Sequence, residues 1–282
     1  MAKILKGKEV IDALNEELRG RSKELVDEGI TPTLGIVRLG ERPDDMAYER
    51  GALKRAEKTG VNVEQFVFDS DMTQDELLGE IDKINKDPAI HGVLMFRPLP
   101  KQIDDEVVRN ALAPEKDMDG ITDISMAGVY AGSDSGYPPC TAEACMQILD
   151  YYDIDLKGKN VAVIGRSQVI GKPVAMMLIK KNATVTVCHT KTEDMADICR
   201  NKDIIIAAAG HRDTVTTDFL APDQTVIDVA INFDDEGNMC GDVDFAGAEE
   251  IVDAITPVPG GVGTVTTSML MKHVIEAAEK TA

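Results

Sequence analysis

Cysteine is scarce, and its pattern points to no pairing. Cys140, Cys145, Cys188, Cys199 and Cys240 are odd in number and no Cys-x-x-Cys occurs. Neither a disulfide framework nor a zinc ribbon is supported, and no metal site is expected. A reducing, cytoplasmic setting fits this usage. Long apolar runs are missing as well. None reaches the roughly 18 residues that cross a bilayer. The opening Met1-Ala2-Lys3-Ile4-Leu5-Lys6-Gly7 has no apolar core of signal-peptide length. No membrane partner and no leader are expected. Positive charge is also in short supply: 30 Lys and Arg face 50 Asp and Glu, a net charge of −20. Nucleic acid and anionic membranes need clustered cations, so neither is an expected partner. An anionic small ligand feels local charge and stays open. The acidic excess reads most simply as a device for solubility.

What is present has globular composition, with 43% hydrophobic and 28% charged residues in 282. That length suits one large domain or two of ordinary size. Strand-like and helix-like segments alternate along it. Val10, Leu14, Leu18 and Leu25 recur at helical spacing, and Gly29 supplies a stop. Thr33 to Leu39 reads as a buried strand, Asp45 to Thr59 as a helix ended by Gly60, and Val61 to Phe68 as an alternating strand. A helix over Thr73 to Lys86 opens with capping-box spacing, Thr73-Gln74-Asp75-Glu76. His91 to Phe96 is a further strand, punctuated by Pro98-Leu99-Pro100. Ile121 to Thr141, crowded with Gly and Pro, reads as a linker and candidate boundary. Beyond it, strands are expected at Asn160 to Ile164, Ala183 to Cys188, Asp203 to Ala208 and Thr225 to Val229. Helices are expected at Val169 to Lys181 and Thr266 to Lys280. Continuous apolar strands suit a parallel sheet covered on both faces. The architecture inferred is two α/β domains with a cleft between them.

The sharpest local signal is Val161-Ala162-Val163-Ile164-Gly165-Arg166-Ser167-Gln168-Val169-Ile170-Gly171. It is a strand, a glycine turn and a helix start, where free N–H groups and the helix dipole attract phosphate. Gly171 would let the helix pack close to the sheet. Ser167 stands where the usual fingerprint has its second glycine, so the motif alone is weak; a plain strand-to-helix turn is the alternative. The next strand ends Val187-Cys188-His189-Thr190-Lys191 without the acid that binds the ribose of NAD. With Arg166 in the first turn, NADP is favoured over NAD. His189 and Lys191 read equally well as a solvated loop.

Four further features stand out. They are Tyr48 on its helix, Arg97-Pro98-Leu99-Pro100, Lys116-Asp117-Met118-Asp119-Gly120, and Thr256-Pro257-Val258-Pro259-Gly260-Gly261-Val262-Gly263. Each has a bland explanation alone: a half-buried aromatic, a turn carboxylate, a loop that must bend. Together with Pro139-Cys140-Thr141 and Gly165-Arg166-Ser167, their order and spacing resemble the bifunctional methylenetetrahydrofolate dehydrogenase/methenyltetrahydrofolate cyclohydrolase family, from about residue 3 to residue 277. The resemblance implies a folate-binding catalytic domain over 1–140 plus 267–282 and a Rossmann-type NADP-binding domain over 141–266. It implies a homodimer and a role in one-carbon metabolism that feeds purine biosynthesis. Tyr48 and Asp119 would be catalytic. The tetrahydrofolate substrate would lie near Tyr48, Ala52, Phe96, Asp119 and Pro259, Gly260, Gly261, Val262 and Gly263. Cofactor contacts would fall on Gly165, Arg166, Ser167, Gly171, Thr190 and Ile231.

Two positions depart from the family. The usual Lys four residues after the Tyr is Ala52, and the usual Gln before the Pro-Leu-Pro is Phe96. Hydride removal from a methylene bridge needs alignment and no proton acceptor. Adding water to the resulting cation needs proton transfers, each worth about 10²–10⁴-fold. A NADP-dependent dehydrogenase is therefore expected. The cyclohydrolase activity that the family implies lacks its usual residues here. Three other readings stay open. One is a bifunctional enzyme moving protons through Asp119, Tyr48, Arg97 or Lys54. Another is a catalytically silent folate- or nucleotide-binding protein. The third is an unrelated two-domain NADP dehydrogenase.

Overall fold

The computed structural model describes residues 1–282. In chain order its first half holds β1 (Lys3–Ile4), α1 (Gly7–Asp27), β2 (Thr33–Leu39), α2 (Pro43–Thr59), β3 (Asn62–Phe68), α3 (Gln74–Lys86), β4 (Gly92–Met95), α4 (Asp105–Ala111), α5 (Asp123–Ala131) and α6 (Cys140–Tyr151). The second half holds β5 (Asn160–Ile164), α7 (Gly171–Lys180), β6 (Thr184–Cys188), α8 (Met195–Arg200), β7 (Ile204–Ala207), β8 (Thr225–Asp228), β9 (Asn232–Phe233), β10 (Met239–Cys240), α9 (Phe245–Glu249), β11 (Ala254–Ile255) and α10 (Val262–Glu279). No helix is long and apolar enough to cross a membrane.

The chain divides into two compact units. One comprises Ala13–Cys140 with Thr267–Ala282. Its sheet is three parallel strands in the order β3-β2-β4. β2 is buried along its whole length, as its continuous apolar run requires, while edge strand β3 alternates between exposed and half-buried residues. Helix α2 starts with Pro43 and stops at Gly60, whose positive φ of 77° lets its N–H reach Ala56 O. It buries Asp45, Glu49, Ala52, Ala56 and Thr59. The capping box of α3 forms as its spacing predicts: Glu76 N–H donates to Thr73 Oγ1 and Thr73 N–H to Glu76 Oε2, at 3.0 Å.

The other unit comprises Thr141–Thr266 with Met1–Asp12. Its six strands are all parallel, in the order β1-β11-β8-β7-β5-β6. From β5 the chain moves outward to β6, then returns past β5 to β7. That reversal is a topological switch point, and in open α/β sheets ligands bind outside the strand carboxyl ends there. Ala162, Ile164, Ile205, Ala207 and Val226 form a fully buried core beneath it.

Three expectations need correction. Residues 1–140 do not stay together, because Met1–Asp12 falls with the second unit. Lys3 and Ile4 pair with Ala254 and Ile255 at the sheet edge, and Gly7 N–H donates to Gly260 O at 2.8 Å. The Ile121 to Thr141 stretch is not a linker: it carries α5, with Thr122 capping Ser125 N–H, and the start of α6. Each passage of the chain from one unit to the other falls inside a helix. Finally, α10 begins at Val262 and not at Thr266, so Val262 and Gly263 are helical.

Candidate active site

In the first unit, the end of β4, helix α2 and the Lys116 to Gly120 turn present Tyr48, Phe96 and Asp119. The Tyr48 and Phe96 rings meet edge to face, with centroids 6.0 Å apart at 83°. Burial pushes the Tyr48 phenol well above its ordinary pKa, and the nearby Asp119 charge adds to this, so the hydroxyl stays protonated and can donate. Ala52, one turn along α2, has no exposed surface.

The Lys116-Asp117-Met118-Asp119-Gly120 turn divides its labour. Lys116 Nζ donates to Ile84 O at 2.9 Å and Asp87 O at 2.6 Å, closing off the end of α3. Buried Asp117 accepts from the N–H groups of Ile121 and Thr122, at 3.0 and 2.8 Å. Met118 is fully buried, and a Cβ at Gly92 would lie 2.4 Å from its Cγ. Asp119 is half-exposed. Its Oδ1 accepts from Cys140 N–H at 3.0 Å, which makes it the cap of α6. Burial raises its pKa, while the Cys140 hydrogen bonds pull it down. His273 supports this turn from α10. Its Nδ1 lies 2.7 Å from Met118 O; a carbonyl can only accept, so that nitrogen carries the proton. Cys140 Sγ donates to the same oxygen at 3.2 Å. Sequence reasoning quoted Cys140 only within Pro139-Cys140-Thr141 and gave neither it nor His273 this supporting part.

Two groups named for proton transfer are placed elsewhere. Arg97 is held in a bidentate pair by Asp105, through Nε at 2.6 Å and through Nη2. Lys54 is exposed, two residues beyond buried Ala52.

In the second unit, Gly165, Arg166, Ser167, Gly171 and Thr190 gather at the carboxyl ends of β5 and β6. Gly165 has a φ of 124°, and a Cβ there would lie 2.2 Å from Ala208 O. A Cβ at Gly171 would lie 2.2 Å from Gly165 O. Both glycines are thus required by close backbone approach. Ser167 Oγ accepts from the N–H groups of Ile170 and Gly171, at 3.1 and 3.4 Å, and so holds the turn that leads into α7. Arg166 and Thr190 are exposed. His189 belongs to the turn itself, its Nδ1 accepting from Lys191 N–H at 3.2 Å. No carboxylate stands at the end of β6.

Ile231, Met239 and the Pro257 to Thr264 segment line a pocket of about 260 Å³ in the same unit, with Asp228 to Ala230 at its base. Pro259, Gly260, Gly261, Val262 and Gly263 all belong to it. Ile231 is 54% exposed, and its Cδ1 would lie 3.4 Å from a Cβ at Gly263. The structure therefore brings Tyr48, Ala52, Phe96 and Asp119 into one unit, and Ile231 and Pro259 to Gly263 into the other.

Comparison with known proteins agrees with this layout. Residues 5–119 match the family model of the tetrahydrofolate dehydrogenase/cyclohydrolase catalytic domain, and residues 139–282 that of its NAD(P)-binding domain. The bifunctional protein FolD of Carboxydothermus hydrogenoformans is 49% identical over 281 residues, covering 99% of this chain and 98% of that one. FolD of Alkaliphilus oremlandii is 48% identical over 277 residues, covering 98% and 97%. The bifunctional FolD structure from Campylobacter jejuni superposes with a TM-score of 0.97 at 35% identity, over 100% of both chains. The Trypanosoma brucei methylenetetrahydrofolate dehydrogenase-cyclohydrolase, solved with NADP and an inhibitor, gives 0.92 at 33% identity, covering 99% and 98%. With the two family models matched in order and relatives of 48–49% identity over nearly the whole chain, the chain belongs to the tetrahydrofolate dehydrogenase/cyclohydrolase family.

Proposed function

We infer that this protein oxidises 5,10-methylenetetrahydrofolate to 5,10-methenyltetrahydrofolate with hydride transfer to NADP, and that its cyclohydrolase step is weak. The observation that carries the reading is a split at one site. Tyr48 meets Phe96 edge to face and Asp119 accepts from Cys140 N–H, while buried Ala52 and Phe96 stand where the resemblance implies the family's Lys and Gln.

The residues present fit NADP. Gly165 and Gly171 let the turn close tightly against Ala208 O and Gly165 O, and the end of β6 offers Thr190 and Lys191 without a carboxylate to repel a 2′-phosphate. Arg166, Ser167 and Thr190 would face that phosphate, and Ile231 would pack near the redox end. When bound, NADP supplies the hydride acceptor. The protein's own task is alignment. Asp119 accepts from the pterin ring's N–H groups, and Tyr48 donates from a phenol held protonated. Fixed geometry can lower a barrier by up to roughly 7–11 kcal/mol without any proton transfer.

Hydration of the methenyl cation demands more. A proton must leave water and another must reach the departing nitrogen. Arg97 is committed to Asp105, Lys54 faces solvent, and Tyr48 is held protonated, so none of the three supplies a base. Asp119 has a raised pKa that suits a base. If hydrolysis is fast, Asp119 is the residue that carries it.

Cytoplasmic residence is supported by five free thiols, four of them buried. A homodimer is carried by family resemblance, and sedimentation velocity checks it. The reaction itself is tested by incubating purified protein with methylenetetrahydrofolate and NADP. Methenyltetrahydrofolate and NADPH should appear in equal amounts. Folate binding without NADPH formation would make the protein a silent binder.

A further inference from the structure

Two carboxylates in the second unit, Asp228 and Asp242, are 2% and 0% exposed, and the reaction as described leaves both unused. Asp242 Oδ2 accepts from the N–H groups of Ala209 and Gly210, at 2.6 and 3.1 Å. Its Oδ1 accepts from His211 N–H and from Asn232 Nδ2, both at 2.9 Å. Three successive backbone N–H groups converging on one point form an anion-binding nest. Here the nest sits just beyond β7, beside the Gly165 turn, and the chain's own carboxylate fills it.

Asp228 fixes that carboxylate from below. It ends β8, and its two oxygens accept from the N–H groups of Asp242 and Val243, both at 3.0 Å. Thr256 Oγ1 accepts from Asp228 N–H at 2.7 Å and donates to Asp228 O at 3.2 Å. Between the two acids stands Gly241, where a Cβ would lie 1.9 Å from Asp228 Oδ2. The approach is possible only for glycine. Burial pushes the Asp228 carboxyl up to about 7, against the pull of its N–H donors. One network thus joins three segments at the strand carboxyl ends. These are the turn after β7, the Ile231-Asn232 wall of the pocket, and the start of the Thr256 to Gly263 segment.

We propose that Asp242, held in place by Asp228, is a positioning residue for NADP: by occupying the nest it presets the turn at residues 208–211 and the backbone at Ile231 before the cofactor arrives. The proposal rests on the NADP-dependent reading above. A preset surface lowers the ordering cost of binding, so its loss appears as weaker cofactor affinity more than as slower chemistry.

The test is calorimetric titration of NADP into wild type, Asp242→Ala and Asn232→Ala, with melting temperatures and steady-state kinetics on the same preparations. Asp242→Ala should raise the NADP Kd about tenfold or more, as expected for losing charge-assisted hydrogen bonds. Its kcat should fall by much less. Sodium formate, a carboxylate small enough for the vacated nest, should recover part of the affinity, whereas sodium chloride at equal ionic strength should not. Asn232→Ala keeps the carboxylate and removes one of its four donors, so a smaller rise in Kd with an unchanged melting temperature is expected. A folded Asp242→Ala with wild-type Kd overturns the proposal. If Asp242→Ala does not fold, Asn232→Ala decides: a raised Kd supports the proposal and a wild-type Kd overturns it. Wild-type protein that does not bind NADP overturns the functional reading and this inference with it.

Discussion

A methyl group stands at position 52 where the resemblance implies an ammonium, and this single residue shapes much of the chemistry expected of the site. Ala52 has no exposed surface, and Glu49, one turn before it, is already paired with Arg38. Asp119 is the other decisive residue, and it has two jobs. It caps α6 through Cys140 N–H, and its proposed second job is to face the folate. Asp119→Ala removes both and should cost dehydrogenase activity together with about 1 kcal/mol of stability. Asp119→Asn can keep the cap through its amide oxygen. It should melt close to wild type yet raise the folate KM about tenfold or more, since a charged partner is lost. The raised Asp119 pKa gives a second reading of the same pair. As pH falls towards that pKa the carboxylate is neutralised, so folate KM should climb in wild type and stay flat in Asp119→Asn. A flat wild-type profile would reduce Asp119 to a cap. For cofactor choice the test residue is Arg166. Arg166→Ala should weaken NADP about tenfold or more and NAD much less, because only NADP carries the 2′-phosphate. Equal losses, measured as the two KM values, would remove Arg166 from that contact.

Helix α2 and strand β2 are joined by a buried ion pair that neither element's periodicity announces. Arg38 Nε donates to Glu49 Oε2 at 2.8 Å, with both side chains about 5% exposed, and Gln65 on β3 donates to the other oxygen. Removing one partner strands a buried charge. Glu49→Ala should therefore cost about 3–5 kcal/mol in urea unfolding. Replacing both, with Arg38→Met and Glu49→Leu, should cost distinctly less than Glu49→Ala alone. If the double variant is the less stable one, the pair contributes more than its desolvation cost and the packing argument fails. The contrast between elements also shows what a sequence displays. β2, α3 and β5 were legible because burial imposes a period or an unbroken apolar run, and because a capping box or glycine turn marks an end. α5 was not: its nine residues include Gly128, and flanking glycines and prolines masked a helix that Thr122 caps. Strand β1 is two residues long, too short to carry any pattern.

At the scale of the molecule, alternating strands and helices sufficed to indicate two α/β units. The path of the chain did not follow from that pattern. Met1–Asp12 joins the second unit through β1 and Gly7, a long-range pairing with no local signal. Candidate site residues could be picked out where a particular residue type is demanded, as at Asp119 and Gly165. They stayed hidden where the demand falls on backbone groups, as in the Asp242 nest, since a carboxylate that satisfies main-chain N–H groups looks like any other Asp in a sequence. With Ala52 and Phe96 where the resemblance implies Lys and Gln, we propose that the dehydrogenase reaction survives in this protein and the cyclohydrolase reaction does not. The most direct measurement compares the two rates in one preparation: NADP-dependent oxidation of methylenetetrahydrofolate, and hydrolysis of added methenyltetrahydrofolate corrected for the buffer rate. The prediction is rapid NADPH formation with hydrolysis near the buffer rate, and a rise in hydrolysis when Ala52→Lys and Phe96→Gln are introduced together. Wild-type hydrolysis at a rate comparable to its dehydrogenase turnover would contradict it.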